Sequence, residues 1–188
     1  MTKRVILAIT GASGSLYAVE FLKIMAGLEV EVDGLISAAG EKVLKIELGM
    51  EHTDLRPVRR WYGAHDFAAP MASGSSLYHG MAVLPCTMGS LGAIAGGQSR
   101  NLLHRSADVM LKERRPLVLA VRESPLNGVH LKNMLAAHEA GAIICPAMPA
   151  FYHRPGAIID LARDFAGRVV ALLGFEVPEM RRWEGGDV

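Results

Sequence analysis

Apolar residues recur along the chain in runs of strand length: Val5 to Ile9, Val30 to Ile36, Met81 to Leu84, Leu117 to Val121 and Ala142 to Cys145. The intervening stretches carry apolar positions at helical spacing. A strand packed on both faces must be apolar on both, so such runs predict a parallel sheet with helices on each side rather than a half-solvated one. The helices are predicted over Leu16 to Met25, Glu41 to Leu48, Ser90 to Ala95, Leu102 to Glu113, Leu131 to Ala140 and Ile158 to Leu173. The expected fold class is α/β, a Rossmann-like (flavodoxin-like) three-layer sandwich of five strands. Between Glu51 and Phe67 the pattern gives way to a charged, histidine-containing stretch with Pro57 and Trp61, which reads as a surface excursion.

Length and composition narrow this picture. A chain of 188 residues that is 51% hydrophobic and 21% charged suits one domain over 1–188 with a charged tail at 177–188, and it can bury a core without disulfides or a structural metal. A formal charge of +1 supplies no basic field of the kind nucleic-acid binders carry, so attraction for anions must come from local clusters. Cys86 and Cys145 match neither a metal pair nor a disulfide framework and read as buried free thiols. The apolar run behind Met1-Thr2-Lys3-Arg4 is too short for a membrane span and lacks a signal-type cleavage region, so a cytoplasmic protein is expected. A mean hydropathy of +0.24 with only 6% aromatic residues points to surface hidden between subunits.

In an open parallel sheet the ligand lies beyond the carboxyl ends of the strands. The first such loop is Gly11-Ala12-Ser13-Gly14-Ser15, whose glycines let the backbone turn tightly while helix-start amides and hydroxyls can hold a phosphate. It is neither GxGxxG nor a Walker loop, which favours a mononucleotide over a dinucleotide; a glycine-rich turn without ligand is the equal alternative. Ser37, Ser73-Gly74-Ser75-Ser76 and Pro85-Cys86-Thr87-Met88-Gly89-Ser90 add hydroxyls at the same edge. Arg105 and Lys112 lie seven residues apart, on one helix face, and read alone as a solvated basic helix end. Arg122 and Glu123 follow the fourth apolar run directly, where a charge points into the site. The loop from Pro146 to Pro155 is stiffened by prolines and carries Tyr152 and Arg154, as a lid or as packing. Arg168, within the last helix, either snorkels or, facing inward, clamps a phosphate.

Together GASGS, ASGS, PCTMGSL, RSADVMLKERRPLVL, RESPL and PAFYHRP, in that order and over nearly the whole chain, resemble the UbiX-type flavin prenyltransferase family. The resemblance implies FMN held by Gly11, Ala12, Ser13, Ser37, Thr87, Met88, Gly89, Ser90 and Arg122, and a prenyl phosphate gripped by Tyr152 and Arg168 with help from a neighbouring subunit. Lys112, Arg105, Glu123 and Glu47 match further site positions, Lys112 near the phosphate, and Ser13 is placed with them in the catalytic set. Trp183 matches a tail aromatic on the substrate side. Thr87-Met88-Gly89 stands where family members commonly read SMK, losing a lysine, and Ser124 replaces a usual threonine while keeping the hydroxyl.

The chemistry implied is transfer of a dimethylallyl group from its monophosphate or diphosphate to N5 and then C6 of reduced FMN, giving prenylated FMN for a UbiD-type decarboxylase. Ionising an allylic phosphate calls for cationic donors around the leaving group, a role for Arg105, Lys112, Arg122, Arg168 and Tyr152. Ring closure moves protons, for which Glu47 and Glu123 are the available acids. No DDxxD motif is present, so metal-independent catalysis is expected. The resemblance also implies a homododecamer with sites at subunit interfaces. The rival readings are an FMN-dependent cysteine decarboxylase, which needs an early catalytic histidine and a PxxAN-type stretch, and an FMN carrier subunit without turnover.

Overall fold

The structure is a computed structural model and describes residues 3–178 and 180. Among them six parallel strands form one sheet: β1 (Arg4–Ile9), β2 (Glu31–Ile36), β3 (Arg60–Tyr62), β4 (Gly80–Cys86), β5 (Leu117–Val121) and β6 (Ile143–Ile144), in the order β3-β2-β1-β4-β5-β6. The helices are α1 (Ser15–Gly27), α2 (Ala38–Leu48), α3 (Met88–Ala95), α4 (Leu102–Lys112), α5 (Gly128–Glu139) and α6 (Ile158–Leu172). No helix of the described residues is long and apolar enough to cross a membrane.

The apolar runs follow from burial on both faces. In β1, Val5, Leu7 and Ile9 enter one core with Phe21 and Leu22 of α1, Leu44 of α2 and Phe165 and Val169 of α6. Ile6 and Ala8, one residue out of phase, enter the other core with Leu91 of α3, Leu102 and Met110 of α4 and Ala137 of α5. The α/β expectation therefore holds, with α1, α2 and α6 on one face and α3, α4 and α5 on the other.

The stretch from Glu51 to Phe67 departs from expectation. It supplies a sixth strand, β3, paired with β2, and its Leu55 and Tyr62 are buried. Its polarity has a physical cause: β3 is a short edge strand, and the cations around it answer an acid inside the sheet. Asp33 of β2 has no exposure, and it accepts hydrogen bonds from Arg59 Nε at 2.9 Å, Arg59 Nη2 at 2.6 Å and the Tyr78 hydroxyl at 2.6 Å. A three-residue strand is too short to display a period.

Candidate functional site

The strand order reverses direction between β1 and β4, so the loops leaving these two strands diverge and open a crevice at the carboxyl edge of the sheet. The loop after β1 is held tightly. A Cβ on Gly11 would lie 2.5 Å from the Cβ of Ala39, and the Ser37 amide donates to the Ile9 carbonyl at 3.0 Å, so the turn and the start of α2 are pressed together. Gly14 has φ of 123°, a conformation L side chains rarely adopt, and the ring of Tyr17 covers it. Gly11→Ala is expected to push α2 away from β1 and lower the thermal midpoint by several degrees, about 1–3 kcal/mol of overpacking, as read by thermal denaturation.

The amides that the sequence reading offers to a phosphate are engaged by Glu47. Its carboxylate accepts from the Gly14 amide at 3.1 Å and the Ser15 amide at 2.8 Å, lying across the N-terminus of α1. Burial pushes the Glu47 carboxyl upward, but the Ser13 hydroxyl and the Ser15 and Gly14 amides outweigh it and hold the group below its ordinary 4.5. Stability from this contact is therefore complete above that value and disappears as pH falls through the lowered pKa. Comparing wild type with Glu47→Gln by thermal denaturation should show a constant gap above pH 5 that closes in more acid solution.

Helix α3 offers a more open N-terminus. Thr87 caps it, accepting from the Ser90 amide at 3.2 Å, and the amides of Met88 and Gly89 have no carbonyl one turn before them. A Cβ on Gly89 would meet only the Thr87 hydroxyl oxygen, at 4.0 Å, so there is room for a ligand beside this turn. Ser37 caps α2 in the same way, accepting from the Gly40 amide at 3.0 Å. The Arg122 amide donates to the Cys86 carbonyl at 3.1 Å, setting the Arg122-Glu123 pair beside the end of β4. The phenol of Tyr17 is pushed upward by burial, lowered by Arg122 and raised by Glu47, which places it in the field of both charges. Glu123 is exposed, and its carboxylate accepts from the Ser124 amide at 3.1 Å.

Tyr152 and Arg168 come together in a cleft of about 710 Å³ between α6 and the segment after β6. Phe165, which also lines it, meets the Tyr17 ring at 4.9 Å between centroids, so the cleft adjoins the Gly11–Ser15 turn. Cys145 faces this cleft and is only partly buried, which corrects its reading as a core thiol, whereas Cys86 is fully buried. Burial pushes both thiols up, Cys86 to about 12, and Arg168 opposes the shift at Cys145.

Arg105 and Lys112 are not gathered with these residues inside one chain. They share a face of α4 as their spacing requires, but α4 packs on the opposite side of the sheet from α6. There Arg105 donates to the Ala72 carbonyl at 3.0 Å and to Asp108 at 2.7 Å, and Lys112 pairs with Glu113 beside Gly74. Trp183 lies outside the described residues. Two residues left unassigned by the sequence, Thr10 and Tyr17, flank the Gly11–Ser15 turn, Thr10 buried just before it and the Tyr17 ring against Gly14; each reads in sequence as ordinary polarity or helix packing.

Residues 1–163 match the family model described as Flavoprotein. The chain is 46% identical over 187 residues to the flavin prenyltransferase UbiX of Methanothermobacter thermautotrophicus, covering 99% of this chain and 98% of that one. Among solved structures it superposes on AnUbiX, in complex with FMN and dimethylallyl pyrophosphate, with a TM-score of 0.96, 39% identity and complete coverage of both chains. It superposes on a dodecameric FMN-dependent Ubix-like decarboxylase from Escherichia coli O157:H7 with a TM-score of 0.92 and 36% identity, covering 97% of this chain and all of that one. A sheet with its crevice at the β1/β4 reversal, a match to the flavoprotein model and full-length identity of this order together place the chain in the UbiX-type flavin prenyltransferase family.

Proposed function

We propose that this protein transfers a dimethylallyl group from dimethylallyl phosphate or diphosphate to reduced FMN. The observation that carries the reading is the adjacency of two half-sites, the Tyr152–Arg168 cleft and the crevice at the β1/β4 reversal, joined through Phe165 and Tyr17. The crevice fits FMN: open space beside Gly89, the first-turn amides of α3, the hydroxyls of Ser37, Thr87 and Ser90 and the nearby Arg122 suit a phosphate and a ribityl chain, with Gly11, Ala12 and Ser13 on the facing wall. Reduced flavin supplies the nucleophile, accepting the five-carbon unit at N5 and C6 to become prenylated FMN.

The chain's own groups have separable tasks. Arg168 and Tyr152 grip the donor phosphate and stabilise charge as it departs. Glu47, held deprotonated by the α1 amides and the Ser13 hydroxyl, is the acceptor for a proton released during ring closure, with Glu123 the second carboxylate at the same edge. Arg105 and Lys112 lie across the sheet from Arg168, so they reach a donor phosphate only from a neighbouring copy. That agrees with a homododecamer whose sites lie between subunits; the substrate-side role expected of Trp183 falls outside the described residues. The assembly works in the cytoplasm without a metal and hands its product to a UbiD-type decarboxylase.

A flavin-dependent cysteine decarboxylase would need an early histidine at the crevice, but His52 pairs with Glu41 and packs on Trp61 near the β3 edge. Anaerobic incubation of the protein with reduced FMN and dimethylallyl phosphate, followed by addition of a UbiD-type apo-decarboxylase, tests the reading. Decarboxylation that depends on all three components is expected; equal decarboxylation with FMN alone would identify a carrier instead.

A further inference from the structure

We infer that Thr10 is a positioning residue for the flavin: its hydroxyl locks the start of α3 to the Gly11–Ser15 turn and so sets the α3 amides at the distance from that turn that the flavin requires. The inference rests on the flavin prenyltransferase reading above. Thr10 is 1% exposed although polar, and it follows β1 directly, immediately before the turn. Its hydroxyl donates to the Pro85 carbonyl at 2.7 Å, its own amide donates to the same carbonyl at 3.2 Å, and its oxygen accepts from the Thr87 amide at 2.9 Å. Thr87 carries the connection forward, because its hydroxyl accepts from the Ser90 amide at 3.2 Å and donates to the Ser90 hydroxyl at 3.1 Å. One relay therefore runs from β1 through Thr10 and Thr87 to the first turn of α3.

The sheet does not provide this alignment by itself. Pairing between β1 and β4 ends at Ala8 opposite Val83, and the β4–β5 register is irregular between Val83 and Cys86. Beyond that point the last residues of β4, which launch α3, are held to the β1 side by the Thr10 amide and by the two bonds of its hydroxyl. The brace lies where the two crossovers diverge, so slack there opens the crevice between the turn and the Thr87–Ser90 segment. Valine in place of Thr10 keeps the shape and the backbone amide's bond to Pro85 but removes the hydroxyl's bond to that carbonyl and leaves the Thr87 amide without an acceptor.

The test compares wild type, Thr10→Val and Thr10→Ser by FMN titration and steady-state transfer, at temperatures well below each variant's thermal midpoint. Thr10→Val is expected to weaken FMN binding about tenfold, the scale of one orphaned buried donor, with KM for dimethylallyl phosphate unchanged, and Thr10→Ser to restore FMN affinity. A lowered thermal midpoint with unaltered FMN affinity in Thr10→Val would overturn the inference, making the brace purely structural. So would a rise in both constants that Thr10→Ser fails to correct. If Thr10→Val does not fold, Thr10→Cys, which keeps a weak donor but a poor acceptor for the Thr87 amide, serves in its place with the same two criteria. Failure of wild type to prenylate FMN would sink the functional reading separately, since FMN affinity is measured without transfer.

Discussion

Replacing Arg168 with alanine is expected to reduce kcat/KM for dimethylallyl transfer by about 10²–10³-fold, the loss typical of removing one charge-stabilising donor from a reaction site. The loss should fall on the donor side of the reaction, because Arg168 shares the cleft with Tyr152 while the FMN crevice is built from β1, β2, β4 and β5. FMN affinity should therefore stay within about twofold of wild type, a margin well under 1 kcal/mol. Lysine at the same position keeps the charge but not the planar fork, so only partial recovery is expected. Steady-state rates against donor concentration together with FMN titration decide the matter, and a variant that loses FMN affinity while keeping its donor KM would move Arg168 to the flavin side.

The largest effect on stability is expected at Arg59→Met. Asp33 has no contact with solvent, and its charge is met by two hydrogen bonds from Arg59, at 2.9 and 2.6 Å, and one from Tyr78. The match holds the Arg59 guanidinium firmly protonated, the hydrogen bond to Asp33 being the leading cause, and burial and Asp33 raise the Tyr78 phenol well above its usual range. Removing the guanidinium leaves a buried carboxylate with a single neutral donor. Such losses cost about 3–5 kcal/mol when fully enclosed; Arg59 is 37% exposed, so water can partly replace it, and about 2–4 kcal/mol is expected. For a chain of this size that lowers the thermal midpoint by about 10 °C. A midpoint within a degree or two of wild type would show that water alone satisfies Asp33.

Much of the fold was legible because its cause is local. Burial of β1 on both faces makes Val5 to Ile9 uniformly apolar, and the same holds for β5, whereas β2 breaks the pattern with Glu31 and the buried Asp33. The edge strand β3 was not legible: its polar residues look like a surface excursion until Arg59 is seen to answer Asp33, 26 residues earlier. The site divides in the same way. The Gly11–Ser15 turn, the Thr87–Ser90 helix start and Arg122 could be located from strand ends alone. That Glu47 takes the α1 amides could not, since the contact spans more than 30 residues. Nor could the spacing of Arg105 and Lys112 show that their shared face lies across the sheet from Arg168; periodicity reports a helix face, and the crossover decides which side of the sheet that helix covers.

The most direct test of dimethylallyl transfer is the mass of the flavin itself. The protein is incubated without oxygen with reduced FMN and dimethylallyl phosphate, or the diphosphate, and the extracted flavin is analysed by mass spectrometry beside the Arg168→Ala control. A flavin heavier by one C₅H₈ unit, formed by wild type and lost in the control, is the predicted result. Recovery of bound but unmodified FMN with both donors would contradict it and leave a flavin carrier or a decarboxylase in its place.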